Sequence, residues 1–270
     1  MGKLDETIKN ISYNQHEILY NIMQMHNGGK PFDCDPTYSI GNFYGDFKVK
    51  KSDGTEIPIT ILQPTYKFDV CPQVEGVEKI EPLGPIPLED ESVESVCQDL
   101  PFAVSIGKSM KQDPRHTEAD YKKGSNIITN RFAGYYPRWS MYESYSHWLH
   151  EAFRILKPDG ILVWKNQNVI SGSVYLATEE YSWFEATRTG FYTLDKFILA
   201  SRTRLISGKV KNQQHARNFT SSFWVFQKPG PKSKKIEDYY CWMEDSEEKQ
   251  TLQKIMNAGQ KPGFNGRKTT

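Results

Sequence analysis

Hydrophobic residues recur every three or four positions in three stretches of the chain, and this spacing predicts three helices. The first helix follows the capping-box sequence Ser12-Tyr-Asn-Gln15 and stops at Gly28-Gly29. The second begins at another capping box, Ser140-Met-Tyr-Glu143, and ends before the turn Lys157-Pro-Asp-Gly160. The third spans residues 178–189. Shorter apolar segments alternate with these helices, and this alternation is typical of an α/β domain.

The shorter segments are rich in β-branched and aromatic residues and predict strands. A polar excursion over 45–64 contains the turn Ser52-Asp53-Gly54 and predicts a hairpin. Strands that alternate with helices form a mostly parallel sheet, and ligands bind beyond the carboxyl ends of its strands. The predicted sheet strands lie at 31–35, 66–70, 79–81, 92–99, 161–165, 196–200 and 222–226.

The composition fits one domain with insertions, because 270 residues with 37% hydrophobic content can bury a sizeable core. Lys and Arg number 34 against 33 Asp and Glu, so contact with a polyanion must be local. The four cysteines, Cys34, Cys71, Cys97 and Cys241, lack the spacing of metal ligands, and no apolar stretch resembles a signal peptide or membrane span. We therefore expect a cytoplasmic protein with reduced thiols, no metal and no membrane partner.

Two basic stretches flank the predicted carboxyl edge of the sheet, and either could contact nucleic-acid phosphates or be solvated loops. The first is a loop insertion at 103–138, and the second connects the last two strands. Beyond residue 228 the composition shifts to Lys, Pro, Gly and Glu, so we predict a domain at 1–228 and a partly disordered appendage at 229–270. The candidate phosphate-binding residues are Lys108, Lys111, Arg115, Lys122, Lys123, Arg131, Arg202, Arg204, His215 and Arg217.

The tetrapeptide Asp99-Leu-Pro-Phe102 follows the predicted strand at 92–99 and carries the most specific candidate chemistry. The nitrogen lone pair of an aromatic amine is delocalised into the ring, so methylation requires acceptors that draw the amino hydrogens out of plane. The Asp99 carboxylate and the Leu100 carbonyl would supply two acceptors. Pro101 would stiffen the turn, and Phe102 would stack on a base flipped out of a duplex. The alternative is an ordinary strand followed by a proline turn.

Several segments, taken in order, resemble the amino-methylating DNA methyltransferases, of the kind found in phages and mobile elements. The resemblance covers about residues 10–228. It implies a Rossmann-like S-adenosylmethionine-dependent methyltransferase fold with a mostly parallel seven-stranded sheet and helices on both faces. It also implies methylation of double-stranded DNA with a flipped base, in a prokaryotic or phage-infected cell, with adenine N6 favoured over cytosine N4. The similar segments are Asp35 to Tyr44, Tyr66 to Asp69, Leu88 to Val93, Asp99 to Phe102, Arg154 to Val163 and Asn212 to Arg217.

The same resemblance implies roles for residues that follow the first strands. The first cofactor loop would contain Asp35, Pro36, Thr37 and Gly41, and Asp69 would bind the ribose hydroxyls. Either Glu81 or Asp90 would lie near the adenine of the cofactor. The chain departs from the usual pattern of these enzymes at two points: its first loop lacks Gly-x-Gly, and it has leucine at position 100, where proline is commoner.

Other interpretations of the same residues stay open. Asp35-Pro-Thr-Tyr38 has the form of the catalytic tetrapeptide, although the glycine-rich loop which that order requires downstream is poorly matched by 165–172. Cys97 followed by Gln98 is superficially similar to the nucleophile of cytosine-C5 enzymes, but that nucleophile must be an exposed thiolate on a loop, and Cys97 lies inside a predicted strand. The acceptor could also be RNA or a protein amide, and the chain could be a catalytically lapsed nucleic-acid-binding protein.

Overall fold

The fold is built around an eight-stranded sheet with helices on both faces. The structure is a computed structural model, and it describes residues 7–50, 54–104, 134–135, 139–202 and 215–231. The described helices are α1 (Gln15–His26), α2 (Trp139–Ile155) and α3 (Thr178–Thr189). The strands are β1 (Ile11–Ser12), β2 (Cys34–Asp35), β3 (Gly45–Lys50), β4 (Glu56–Ile61), β5 (Tyr66–Asp69), β6 (Glu78–Lys79), β7 (Val93–Asp99), β8 (Ala103–Val104), β9 (Gly134–Tyr135), β10 (Leu156–Asn166), β11 (Val169–Ser171), β12 (Val174–Leu176), β13 (Tyr192–Ala200) and β14 (Thr220–Gln227).

The order of strands in the main sheet is β1-β13-β14-β10-β7-β2-β5-β6. Strand β14 is antiparallel to both of its neighbours, and every other pair in this sheet is parallel, so the predicted mostly parallel sheet is confirmed. From β2 the chain builds outward through β5 and β6, and it then returns to place β7 on the opposite side of β2. The crevice between β2 and β7 is therefore a topological switch point, where open α/β sheets bind ligands.

The prediction of seven strands is wrong for the described residues because the segment before α1 adds an eighth. Ile11 and Ser12 pair in parallel with Ile198 and Leu199 at the sheet edge. Ser12 is consequently not the N-cap residue of the helix. Asn14 caps α1 instead, and its side chain accepts a hydrogen bond from the backbone N–H of His16 over 2.9 Å.

The start of the second predicted helix and the turn after it also differ from the prediction. Helix α2 begins at Trp139, so Ser140 lies buried in its first turn rather than at its cap. The predicted turn at 157–160 lies within β10, whose register with β7 shifts between Leu156 and Ile161. Asp159 takes a left-handed φ of 65° in that irregularity, so the turn residues bend the strand without ending it.

Two hydrophobic clusters fill the two faces of the sheet, and neighbouring residues of one strand contribute to opposite clusters. Val96 of β7 packs in the cluster with helix α2, whereas Cys97 packs in the cluster with α1. This alternation is expected of a strand that is buried on both faces. No helix among the described residues is long and apolar enough to cross a membrane.

Among the described residues, three two-stranded pairs stand outside the main sheet. Strands β3 and β4 form the predicted hairpin, although residues 51–53 of its turn lie outside the described residues. Strands β11 and β12 form a second hairpin that was not predicted from sequence. Strands β8 and β9 pair in parallel, so residues 104 and 135, near the two ends of the predicted basic insertion, lie side by side. The remainder of that insertion and the appendage from residue 232 lie outside the described residues.

Candidate active site

The carboxyl ends of five parallel strands meet at one edge of the sheet and bring four of the predicted site segments together. The loop 35–44 follows β2, Asp69 ends β5, Glu81 lies just beyond β6, and Asp99 ends β7. Lys165 is near the end of β10 and stands directly opposite Asp99 in the sheet register. These residues surround the switch point between β2 and β7.

The carboxylate of Asp35 is enclosed by the loop that follows it, and only 2% of the residue is exposed. Its oxygens accept hydrogen bonds from the Thr37 backbone N–H over 2.8 Å, the Thr37 hydroxyl over 3.0 Å and the Tyr44 hydroxyl over 2.7 Å. Burial raises the pKa of Asp35 to about 7, against the three hydrogen bonds that favour its charge. Asp35 therefore fastens the loop and does not present its oxygens to a ligand.

Thr37 joins this loop to the end of β7. Its hydroxyl donates to Asp35, and the same oxygen accepts the backbone N–H of Asp99 over 2.8 Å. A single side chain thus connects the loop after β2 with the first residue of the candidate catalytic tetrapeptide. The position of the Asp99 backbone depends on the conformation of the loop 35–44.

Packing inside the loop explains Gly41 without reference to a ligand. Gly41 has a φ of 75°, and a Cβ at this position would overlap the hydroxyl of Tyr38. Tyr38, Phe43 and Tyr44 are buried and fill the core on the α1 face. The loop consequently packs its aromatic side chains inward, and its exposed residues, Ser39, Ile40 and Asn42, lie at its tip.

Asp69 lies half-buried beside the exposed tip of the loop. Its two carboxylate oxygens accept backbone N–H groups of Cys71 and Ser39, each over 2.8 Å. Burial raises the pKa of Asp69, and these two hydrogen bonds oppose the rise. A carboxylate has about four lone-pair positions, so each oxygen keeps capacity for one more donor. Glu81 is exposed on the same edge.

Asp90 is not brought to this edge. It precedes β7 and pairs with Arg154 at the end of α2, with 2.8 Å between Oδ1 and the guanidinium. The seven residues of β7 separate it from Asp99 by roughly 20 Å at the usual rise per residue. The expected contact of Asp90 with the cofactor therefore has no support from its position.

The carboxylate of Asp99 forms an ion pair with Lys165 that the sequence did not predict. The distance from Lys165 Nζ to Asp99 Oδ2 is 2.7 Å, and the two side chains are 13% and 28% exposed. The ammonium also lies 5.1 Å from the ring centre of Phe43 and 5.6 Å from that of Phe223. The sequence offers one hint, a lysine directly after the apolar run Ile161-Leu-Val-Trp164.

The rest of the tetrapeptide is held from the opposite face of the sheet. Leu100 is buried in the cluster with α2, and Pro101 and Phe102 are half-buried. The hydroxyl of Tyr145 donates to the Pro101 carbonyl over 3.1 Å. The turn after β7 is thus fixed on one side by Thr37 and on the other by Tyr145.

Three of the predicted phosphate-binding residues are described, and they lie towards the same edge. Arg202 is exposed just after β13, with its guanidinium 4.8 Å from the ring centre of Tyr13. His215 Nε2 is 3.1 Å from the Ser173 carbonyl in the β11–β12 turn, and Arg217 is half-buried before β14. The others, Lys108, Lys111, Arg115, Lys122, Lys123, Arg131 and Arg204, lie outside the described residues.

The cysteines do not provide an exposed nucleophile among the described residues. Cys34 and Cys97 are free and buried, and burial raises the pKa of both thiols. Cys71 is half-buried. Within the described ranges, no three His, Cys, Asp or Glu side chains converge on a possible metal position.

Comparison with known proteins gives distant structural similarity only. No protein-family model and no curated protein matches the chain in sequence. A candidate DNA modification methylase from Thermus thermophilus is 16% identical, over 61% of this chain and 57% of that one, with a TM-score of 0.33. The structure of its complex with S-adenosyl-L-methionine is 15% identical, over 61% of this chain and 59% of that one, with a TM-score of 0.33. A chain in the complex of the Haloferax volcanii Trm112 methyltransferase activator with a candidate methyltransferase is 13% identical, over 58% of this chain and 64% of that one, with a TM-score of 0.29.

These similarities are too weak to carry an argument about activity. The chain also spans less than two thirds of the length of each of these structures. The case for a function therefore depends on the residues at the sheet edge.

Proposed function

We propose that this protein is an S-adenosylmethionine-dependent methyltransferase that acts on an exocyclic amino group of a DNA base, with adenine N6 favoured over cytosine N4. The observation that carries the proposal is the position of Asp99-Leu-Pro-Phe102. It follows β7 at the switch point of the sheet, with a partly exposed carboxylate. An acceptor held at such a strand end is fixed before the substrate arrives.

The proposed chemistry uses two acceptors on one turn. Asp99 accepts one hydrogen of the amino group and the Leu100 carbonyl accepts the other, so the nitrogen lone pair turns towards the methyl donor. After transfer, the surplus proton leaves the nitrogen towards the Asp99 carboxylate. Phe102 offers its ring as a stacking surface for the base. The hydrogen bond that Asp99 donates to Thr37 and the one that Tyr145 donates to Pro101 hold the turn rigid during these steps.

Asp99 is better placed for the role of acceptor than Asp35, the other aspartate that begins such a tetrapeptide. The oxygens of Asp35 accept three hydrogen bonds from its own loop, and the residue is 2% exposed. A base cannot reach them unless the loop unfolds. Asp99 exposes 28% of its side chain.

The residues beside this acceptor fit the proposed cofactor. S-Adenosylmethionine supplies an electrophilic methyl group when bound. Asp69 retains two lone-pair positions for ribose hydroxyls, and Glu81 lies farther along the same edge, towards the proposed position of the adenine. The loop of Asp35, Pro36, Thr37 and Gly41 would act through its shape and its exposed tip.

Three of the residues proposed to contact DNA lie in the described part of the structure, and the others are proposed from the sequence. Arg202, His215 and Arg217 lie towards the same edge as the acceptor, where phosphate contacts would orient a duplex. The lysines and arginines of the insertion belong to the proposal on sequence grounds. They would contribute a salt-dependent, sequence-independent part of the affinity.

Mass spectrometry of nucleosides tests the acceptor and the modified atom together. The protein is incubated with donor carrying a deuterated methyl group and with double-stranded DNA, RNA or a protein mixture in separate reactions. Labelled N6-methyladenine from DNA is expected. Label in N4-methylcytosine would overturn the preference for adenine, and label found only in RNA or protein would overturn the DNA proposal. Donor binding without transfer to any acceptor would indicate a lapsed enzyme.

The matched variants are Asp99→Asn and Glu94→Gln. Both carboxylates lie on β7, but Glu94 is an exposed residue whose ion pair with Lys30 is a surface contact. Asp99→Asn should abolish most transfer, and Glu94→Gln should retain it. Equal transfer by both variants would contradict the role of Asp99.

A further inference from the structure

The ammonium group of Lys165 has hydrogen-bonding capacity that the described protein does not use. An ammonium carries three N–H donors. Among the described residues it has one hydrogen-bond acceptor, Oδ2 of Asp99, although its side chain is only 13% exposed. A charge withdrawn from water in this way is costly when its donors lack partners. The two remaining donors therefore indicate an acceptor that the described residues do not provide.

Aromatic rings restrict where the ammonium can move. The ring centres of Phe43 and Phe223 lie 5.1 Å and 5.6 Å from Nζ, on the α1 side of the sheet. The register of β7 and β10 places Lys165 directly beside Asp99. An acceptor of hydrogen bonds and a donor of hydrogen bonds are thereby presented side by side, 2.7 Å apart.

We propose that Asp99 and Lys165 together read the Watson–Crick edge of the target base, with Asp99 accepting from the amino group and Lys165 donating to the adjacent ring nitrogen. Adenine presents N6 beside unprotonated N1, and cytosine presents N4 beside unprotonated N3, so both edges match this pair. This inference rests on the proposed function, because it uses Asp99 as the acceptor of the amino group.

The pair also provides a physical basis for rejecting other bases. The ring nitrogen next to the oxygen of guanine, and the corresponding nitrogen of thymine or uracil, carries a hydrogen. A donor of that kind would face the Lys165 ammonium, and a carbonyl oxygen would face the Asp99 carboxylate. Rejection by mispaired polar groups of this sort is stronger than rejection by shape alone.

Atomic substitution in the substrate tests the contact directly. Once the labelled nucleoside has identified the base and mapping of the methylated DNA has identified its sequence context, oligonucleotides carry adenine, 1-deazaadenine or 7-deazaadenine at that position. Each is placed opposite an abasic site, so that differences in base pairing do not affect flipping. With the wild-type protein, 1-deazaadenine should lower kcat/KM by about 10- to 100-fold, the usual effect of losing a hydrogen bond to a charged group. Substitution by 7-deazaadenine should change it less than threefold.

The variant Lys165→Met tests whether the lysine is responsible. This variant should be slower on adenine, and it should no longer distinguish adenine from 1-deazaadenine. Lys30→Met is the control, because Lys30 lies in an exposed ion pair on the surface, and its ratio between the two substrates should match that of the wild type. If the target is cytosine, 3-deazacytosine takes the place of 1-deazaadenine.

The outcomes separate this inference from the proposed function. Absence of label from unmodified DNA would overturn the proposed function itself. Efficient methylation of both adenine and 1-deazaadenine by the wild-type protein would overturn only the role of Lys165, and this result requires no variant to fold. A Lys165→Met protein that keeps the wild-type ratio would also overturn it, because the lysine would then act on both substrates equally.

Discussion

The hydrogen bond from Tyr44 to the buried carboxylate of Asp35 gives a quantitative test of how the loop after β2 is held. The substitution Tyr44→Phe removes one hydroxyl, which donates over 2.7 Å, and leaves the buried ring in place. Hydrogen bonds to charged groups contribute about 1.5–3 kcal/mol, and those between neutral groups about 0.5–1.5 kcal/mol. The cost of the substitution should therefore depend on whether Asp35 is ionised.

The direction of the pH effect follows from the raised pKa. Folding raises the pKa of Asp35 from 3.8 to about 7, so between these values the native chain holds more protons than the unfolded chain. The contribution of Asp35 to the free energy of unfolding therefore falls as the pH rises through this window. Tyr44 favours the ionised form, so the loss in Tyr44→Phe should be about 2–3 kcal/mol at pH 8 and about 1 kcal/mol at pH 5.

Urea unfolding, followed by tryptophan fluorescence at pH 5, 6, 7 and 8, measures this difference. Tyr38→Phe is the control, because its hydroxyl donates to the neutral side-chain amide of Gln63 and the two tyrosine rings stack 5.6 Å apart. The control should lose a similar amount of stability at every pH. A loss in Tyr44→Phe that is equal at pH 5 and pH 8 would refute the account of Asp35.

Four further substitutions test other parts of the structure. Gly41→Ala should lower the free energy of unfolding by about 2–4 kcal/mol, because residue 41 has a left-handed φ and a Cβ there would overlap Tyr38. Gly28→Ala should lower it by only about 1 kcal/mol, because Gly28 has a φ of 60° but open space around it. Lys228→Met removes an ammonium that binds a carboxylate and two backbone carbonyls, so chemical denaturation should reveal a loss of about 2–4 kcal/mol. Thr37→Val should reduce methyl transfer more than donor binding, and equal losses in a transfer and titration assay would contradict its link to Asp99.

The sequence was sufficient to predict the elements that depend on local spacing. The predicted strand at 92–99 is β7 within one residue, and the predicted helix at 178–189 is α3. The alternation of helices and strands led to the mostly parallel sheet. The capping boxes failed because a short polar motif fits many turns, and the pairing of β1 with β13 depends on a strand almost 190 residues away.

The candidate site likewise contains features that the sequence could predict and features that it could not. The position of Asp99 at a strand end could be predicted because the tetrapeptide follows a recognisable strand. The enclosure of Asp35 and the pairing of Lys165 could not be found, since both depend on which strands become neighbours and in what register. Asp90 could have been set aside from sequence, because it precedes the strand at whose far end the site lies.

The most direct test of the central claim compares methyl transfer and donor binding in Asp99→Asn. Radiolabelled transfer to DNA and calorimetric titration of the donor are measured on the same preparation, with Glu94→Gln as the folded control. Transfer should fall by about 100-fold or more, while the donor dissociation constant stays within about threefold of the wild type. Transfer at the wild-type rate by Asp99→Asn would contradict the account.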